Sequence, residues 1–255
     1  MHLHVESTGE GEPVVLVHGS WSDHHAWDAV IAELPAGFRA VIYDRRGHGA
    51  SEGEGDLLDD IDDLAEIVER TGPAHLVGNS LGAQIVLRLA VARPELALSL
   101  ALHEPGFWCL APDDVSIRAI QASMRPSVAL IEAGDDEAGA RAFAEMLLGP
   151  GAWDDGLPDQ LKRTMVANAR TFAAEERDPE IAALELPVRS THPTLLTTGD
   201  ESDRAFGVVT ERLAEELSHA RRVTLAGAGH IPHRTHPAEY AALLAGFWAA
   251  QVKRA

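Results

Sequence analysis

Apolar and polar positions follow two alternating rhythms along this chain. Short continuous apolar runs at residues 14–17, 39–43, 75–77 and 96–102 read as strands buried on both faces of a parallel sheet. Between them, Leu57, Leu58, Ile61, Leu64 and Val68 recur at helical spacing, while Asp59, Asp60, Asp62, Asp63, Glu66 and Glu69 take the other face. That pattern predicts an outer amphipathic helix with a solvated acidic side. Residues 2–6 alternate and predict an edge strand, closed by a turn over 9–13. Further helices are expected over 28–34, 83–90 and 238–252, and strands over 194–198 and 222–225. Strands alternating with helices point to an α/β fold built on a doubly wound, mostly parallel sheet. From 106 to about 187 the alternation lapses. Helical stretches over 115–123, 138–148 and 161–176, parted by Gly/Pro-rich turns, suggest a helical insertion lying over the sheet.

Charge narrows the set of partners. Across 255 residues, 40 Asp and Glu face 21 Lys and Arg, a formal net charge of −19, which disfavours nucleic acid and anionic membrane surfaces. Cys109 is the single cysteine, so no intrachain disulfide can form. The first residues show neither a basic nor an apolar leader region, and no apolar run approaches a membrane span. A cytoplasmic protein without a membrane partner is expected.

The chemistry gathers at strand ends. Residues 75–77 run into Gly78-Asn79-Ser80-Leu81-Gly82 and then a helix, which sets Ser80 at the apex of a tight turn between two glycines. The turn lifts the hydroxyl above the sheet and leaves the Leu81 amide at a helix N-terminus, where it can stabilise negative charge. A serine that merely caps the helix is the plainer alternative. Ser20, Glu104, Asp200, Asp203 and His230 also follow predicted strands, and ligands of open parallel sheets bind outside the strand C-termini. His230 follows the last strand, after serine and acid in chain order, and is the candidate base for Ser80. His233 and His236 lack a zinc-ligand pattern and are broken by Pro232 and Pro237; no metal is expected there, nor at His24-His25 or His2/His4.

Four motifs in order, 17–21 (VHGSW), 44–51 (DRRGHGAS), 78–82 (GNSLG) and 227–230 (GAGH), resemble the α/β-hydrolase superfamily over essentially the whole length. The resemblance implies Ser80 as nucleophile, His230 as general base, and the amides of Ser20 and Leu81 as oxyanion hole. It makes 106–187 a helical cap (lid) over a core of 1–105 and 188–255. Only one strand fits before Val14, so about seven strands are expected rather than the family's usual eight. The acid that orients the histidine is most often placed three residues beyond the glycine after the next-to-last strand. Here that position is Ser202, flanked by Asp200 and Asp203. Haloalkane dehalogenases instead carry a Glu at the end of the preceding strand, and Glu104 stands there. Glu104 is the choice, with Asp203 or Asp200 as the alternative. Asp44 and Arg46 read as loop braces. Of the aromatics, Trp21 and Trp108 are the substrate-binding candidates, while Trp27, Phe107, Phe143, Trp153 and Phe172 read as core.

The expected reaction is hydrolysis of a small-molecule ester or lactone through an acyl-enzyme, without cofactor or metal. The same fold and triad also serve C–C bond hydrolysis, perhydrolysis and hydroxynitrile cleavage, and some receptors keep the triad. A homodimer is compatible with the sequence.

Overall fold

Successive residues of a strand point to opposite faces, and the apolar runs of this chain use both. The computed structural model describes residues 2–186 and 188–252. Its strands are β1 (Val5–Gly9), β2 (Gly11–Val17), β3 (Gly37–Tyr43), β4 (Ala74–Asn79), β5 (Ala97–His103), β6 (Thr194–Gly199) and β7 (Ala220–Leu225). They form one sheet in the order β1-β3-β2-β4-β5-β6-β7. β1 is antiparallel to β3, and every other pairing is parallel. Val15 and Val17 of β2, Leu76 of β4 and Leu100 and Leu102 of β5 enter one hydrophobic core, with their neighbours Val14, Leu16, Val77 and Ala101 in the other.

Helices cover both faces. α2 (Leu57–Thr71), α3 (Leu81–Ala92) and α8 (Arg204–Glu216) supply the first core, while α1 (Asp28–Glu33) and α10 (Pro237–Val252) supply the second through Val30, Tyr240, Leu244, Phe247 and Trp248. Between β5 and β6 lie α4 (Val115–Glu132), α5 (Asp136–Leu148), α6 (Asp159–Glu175) and α7 (Pro179–Ala182). The first three pack around a third apolar cluster that includes Met124, Ile131, Ala144, Met165 and Phe172 and reaches Trp21 of the loop after β2. No helix among the described residues is long and apolar enough to cross a membrane.

Three expectations are corrected. The edge strand starts at Val5 rather than residue 2, and β2 begins at Gly11, because β1 pairs with residues 39–43 of β3 and β2 with residues 37–42. α4 continues through Pro126 to Glu132 instead of ending near 123; buried Met124, Ser127 and Ile131 hold it where the proline removes one helical hydrogen bond. The acidic side of α2 is not wholly solvated. Asp60 and Asp63 are buried, Asp63 against Arg46 at 2.6 Å and Asp60 at 3.5 Å from the buried Arg45 guanidinium.

Candidate active site

The strand order reverses between β2 and β4, and the crevice at their C-terminal ends receives the loop after each. Ser80 stands at the tip of β4 with φ of 55° and ψ of −122°. Its neighbours must be bare: a Cβ on Gly78 would lie 2.4 Å from the Gly82 carbonyl oxygen, and one on Gly82 would lie 2.3 Å from that of Val17. The Ser80 side chain makes no capping hydrogen bond to α3, which removes the capping alternative. Its amide donates to the His103 carbonyl at 2.9 Å, so β5 holds the turn in place.

Glu104 directly follows β5 and is fully buried, with φ of 45°. One carboxylate oxygen accepts from the Gly199 amide at 2.8 Å and the other meets His230 Nδ1 at 2.6 Å. Burial alone would raise its pKa, but His103 and His230 more than offset this and hold it down to about 2. An ionised Glu104 fixes the His230 tautomer with its proton on Nδ1 and leaves Nε2 free. Asp203 instead caps α8 through the Ala205 amide, and Asp200 accepts from the Gly227 amide. His230 is steadied from the other side by the Asn79 side-chain amide, which donates to its carbonyl at 3.0 Å. Ser80 and His230 line one cavity of about 440 Å³.

The segment after β2 abuts the elbow: a Cβ on Gly19 would stand 3.2 Å from Ser80 Cβ. His18 Nε2 accepts from the Arg45 amide at 3.0 Å, which places the ring proton on Nδ1, and Nδ1 donates to the Gly19 carbonyl at 2.8 Å. That carbonyl belongs to the peptide whose N–H is Ser20's, and a trans peptide aims the two in opposite directions. Burial pushes His18 well below its ordinary pKa, so it stays neutral in this role. His48 Nε2 lies 2.9 Å from the Ser20 carbonyl, and Asp44 accepts from the amides of His24 and Ala50 at 2.8 Å each.

Trp21 and Trp108 both line the cavity. Trp21 packs against Phe143 and Phe172 with ring centroids 4.7 and 4.5 Å away. Trp108 contacts Phe206, which in turn stacks on His230 at 4.3 Å. Phe143 and Phe172, read from sequence as core, line the cavity too; Trp27, Phe107 and Trp153 are buried in the cores. Sequence reasoning passed over Gln84, Glu175 and His103. Gln84 and Glu175 line the cavity, and His103 sits buried with Nε2 3.7 Å from Glu104. None of the three carries a local motif, so only the fold brings them forward.

Among the described residues, two groups of side chains have metal-ligand chemistry. His103, Glu104 and His230 offer atoms within 4.8 Å of one another, and so do His4, Glu6 and His24 near β1. In the first, an ion would have to displace the short His230–Glu104 hydrogen bond; in the second, it would have to displace the His4 Nε2–Glu6 contact at 3.0 Å.

The alpha/beta hydrolase family model matches residues 14–243. The chain belongs to that family. As a hydrolase it is similar to the pimeloyl-[acyl-carrier protein] methyl ester esterase of Aeromonas hydrophila, with 25% identity over 97% of this chain and 99% of the relative. The corresponding esterase of Nitrosomonas europaea is 38% identical, over 39% of this chain and 40% of its own length. Among solved structures, a thermophilic esterase from Thermogutta terrifontis superposes with a TM-score of 0.77 at 23% identity, covering 98% of this chain and 93% of its own. The enol-lactonase from Burkholderia xenovorans LB400 also reaches 0.77, at 20% identity, over 97% and 96%.

Proposed function

We propose that this hydrolase cleaves a small-molecule carboxylic ester or lactone through an acyl-enzyme. The observation that carries the reading is the 2.6 Å contact from Glu104 to His230 Nδ1, with His230 and Ser80 on the wall of the same cavity. Ser80 Oγ attacks the carbonyl carbon while His230 Nε2 takes its proton. Glu104 stabilises the imidazolium that forms. The amides of Ser20 and Leu81 receive the oxyanion, each contributing roughly 3 kcal/mol by analogy with other oxyanion holes. His230 then returns the proton to the departing alcohol oxygen, and water, activated by the same histidine, releases the acid. Trp21 and Trp108 contact the substrate, and the helices between β5 and β6 act as a cap (lid) that shapes its site. The esterase and the enol-lactonase among the similar proteins support ester and lactone chemistry.

Hydrolysis of p-nitrophenyl acetate and butyrate by folded wild type, Ser80→Ala, Glu104→Gln and Asp203→Asn tests the assignment. Ser80→Ala is expected to abolish turnover, and Glu104→Gln to cost on the order of 10²- to 10⁴-fold in kcat, through the wrong histidine tautomer. Asp203→Asn is expected to retain activity, since Asn caps a helix as well as Asp. A crippled Asp203→Asn beside a competent Glu104→Gln would sink the acid assignment; equal rates for wild type and Ser80→Ala would sink the nucleophile.

A further inference from the structure

One side chain in the cavity wall is wrong for its surroundings. Gln84 lies one helical turn beyond Ser80, its amide donating to the Ser80 carbonyl at 3.3 Å. It is 2% exposed, and its helix neighbours Ala83, Ile85, Val86 and Leu87 are all buried and apolar. Its Oε1 is buried without a hydrogen-bond partner among the described residues. A primary amide left unpaired against apolar neighbours destabilises a fold, and Leu or Met would pack there without that cost. The side chain nevertheless faces the cavity that holds Ser80 and His230.

We propose that Gln84 is a hydrogen-bonding subsite of the catalytic cavity, selecting esters or lactones that carry a second, uncharged hydrogen-bonding group such as an amide. This rests on the ester-hydrolase reading above and adds the substrate class. Charge on the wall disfavours an anionic group: Glu176 and Asp178 line the cavity with Glu175, which is paired with Arg45, against Arg234 of opposite sign. The apolar remainder, with Met124, Phe143, Met165 and Phe172, accommodates the hydrocarbon portion. A substrate amide pairs with Gln84, whereas a plain hydrocarbon chain strips water from it and leaves it unpaired. Sites built to hydrogen-bond a ligand discriminate strongly against analogues that lack the group.

The test uses two pairs of matched chain length, p-nitrophenyl heptanoate against p-nitrophenyl 4-acetamidobutyrate, and pentyl butyrate against 2-acetamidoethyl butyrate. They place the amide on the acyl and alcohol sides in turn. Wild type is expected to favour the amide-bearing member of one pair by about tenfold or more in kcat/KM, and Gln84→Leu to bring that ratio to within about twofold. Gln84→Leu is also expected to raise Tm, because it removes the unpaired amide. Gln84→Leu keeping the wild-type ratio in both pairs overturns the proposal, as does a wild type that favours the hydrocarbon member of both. A lowered Tm with an unchanged ratio assigns Gln84 a structural role and overturns it too. The same pairs titrated calorimetrically into Ser80→Ala and Ser80→Ala/Gln84→Leu proteins give the ratio in Kd. A preference for the amide that survives in Ser80→Ala and vanishes in the double variant supports the subsite whatever the nucleophile. Turnover persisting in Ser80→Ala would instead count against the mechanism alone.

Discussion

Ser80 and Glu104 are the non-glycine residues with positive φ among the described residues, at 55° and 45°. Such conformations cost about 1–3 kcal/mol each and persist only where the surroundings over-determine them. Here the Ser80 amide is held by the His103 carbonyl and the Glu104 amide by the Thr197 carbonyl at 3.1 Å, so adjacent strands impose both bends. Strain of this kind at two members of a proposed triad predicts a stability cost of function. Ser80→Gly, which relaxes the turn, is expected to be more stable than Ser80→Ala, which keeps the strained φ, by about 1 kcal/mol in urea unfolding. Equal midpoints would show that the turn is unstrained.

The loop between β3 and α2 does the bracing. Arg45, 1% exposed, joins Asp60 of α2 to Glu175 at the end of α6, and so ties the sheet to the helices over it. Burial pushes Asp60 up to about 7 despite the Arg45 charge beside it, and raises Glu175 as well. Removing the guanidinium strands two carboxyl groups in a low-dielectric site. Arg45→Met is expected to cost roughly 3 kcal/mol or more in denaturant unfolding. Adding Asp60→Asn and Glu175→Gln to it should recover part of that loss, because the orphaned charges are then gone. No recovery would mean that Arg45 acts by packing rather than by charge.

Across the whole molecule, buried imidazoles set the response to acid. Burial lowers His18, His48, His103 and His233, with His48 at about 3 and His103 at about 4. In the unfolded chain each takes up a proton near pH 6.5, but in the folded protein only at much lower pH. The stability they contribute is therefore complete above about pH 6.5 and is lost as the pH falls toward the folded values. Asp60, raised to about 7, acts in the opposite sense, as do Glu175 and Glu176, which burial also raises: their contribution is present at low pH and is lost as pH rises through the folded values. With His75, which burial also lowers, the five histidines outnumber these three carboxyl groups. Each net proton is worth about 1.4 kcal/mol per pH unit, so stability should fall steeply between pH 6.5 and 5. Urea unfolding across that range checks the sign, and His48→Gln should flatten the slope by about one proton. A stability maximum near pH 5 would contradict it.

Local signals determined much of this protein before any tertiary contact was known. Short continuous apolar runs specify strands buried on both faces, and Gly78 and Gly82 around Ser80 specify a turn that tolerates no side chain at its flanks. Those are constraints between neighbours, so a linear reading captures them. Glu104 was legible only as a strand-end carboxylate among competitors; its pairing with His230 spans 126 positions and depends on β5, β6 and β7 lying side by side. The burial of Asp60 and Asp63 was misread, because the α2 pattern cannot show that Arg45 and Arg46 approach from another loop. α4 outran its proline for a similar reason, since the contacts that hold it come from other helices. Gln84, polar within an apolar helix, carried no readable signal at all. Only the packing of α3 against the cavity shows that its Oε1 has no partner among the described residues, because a hydrogen bond left unmade is a property of three-dimensional surroundings.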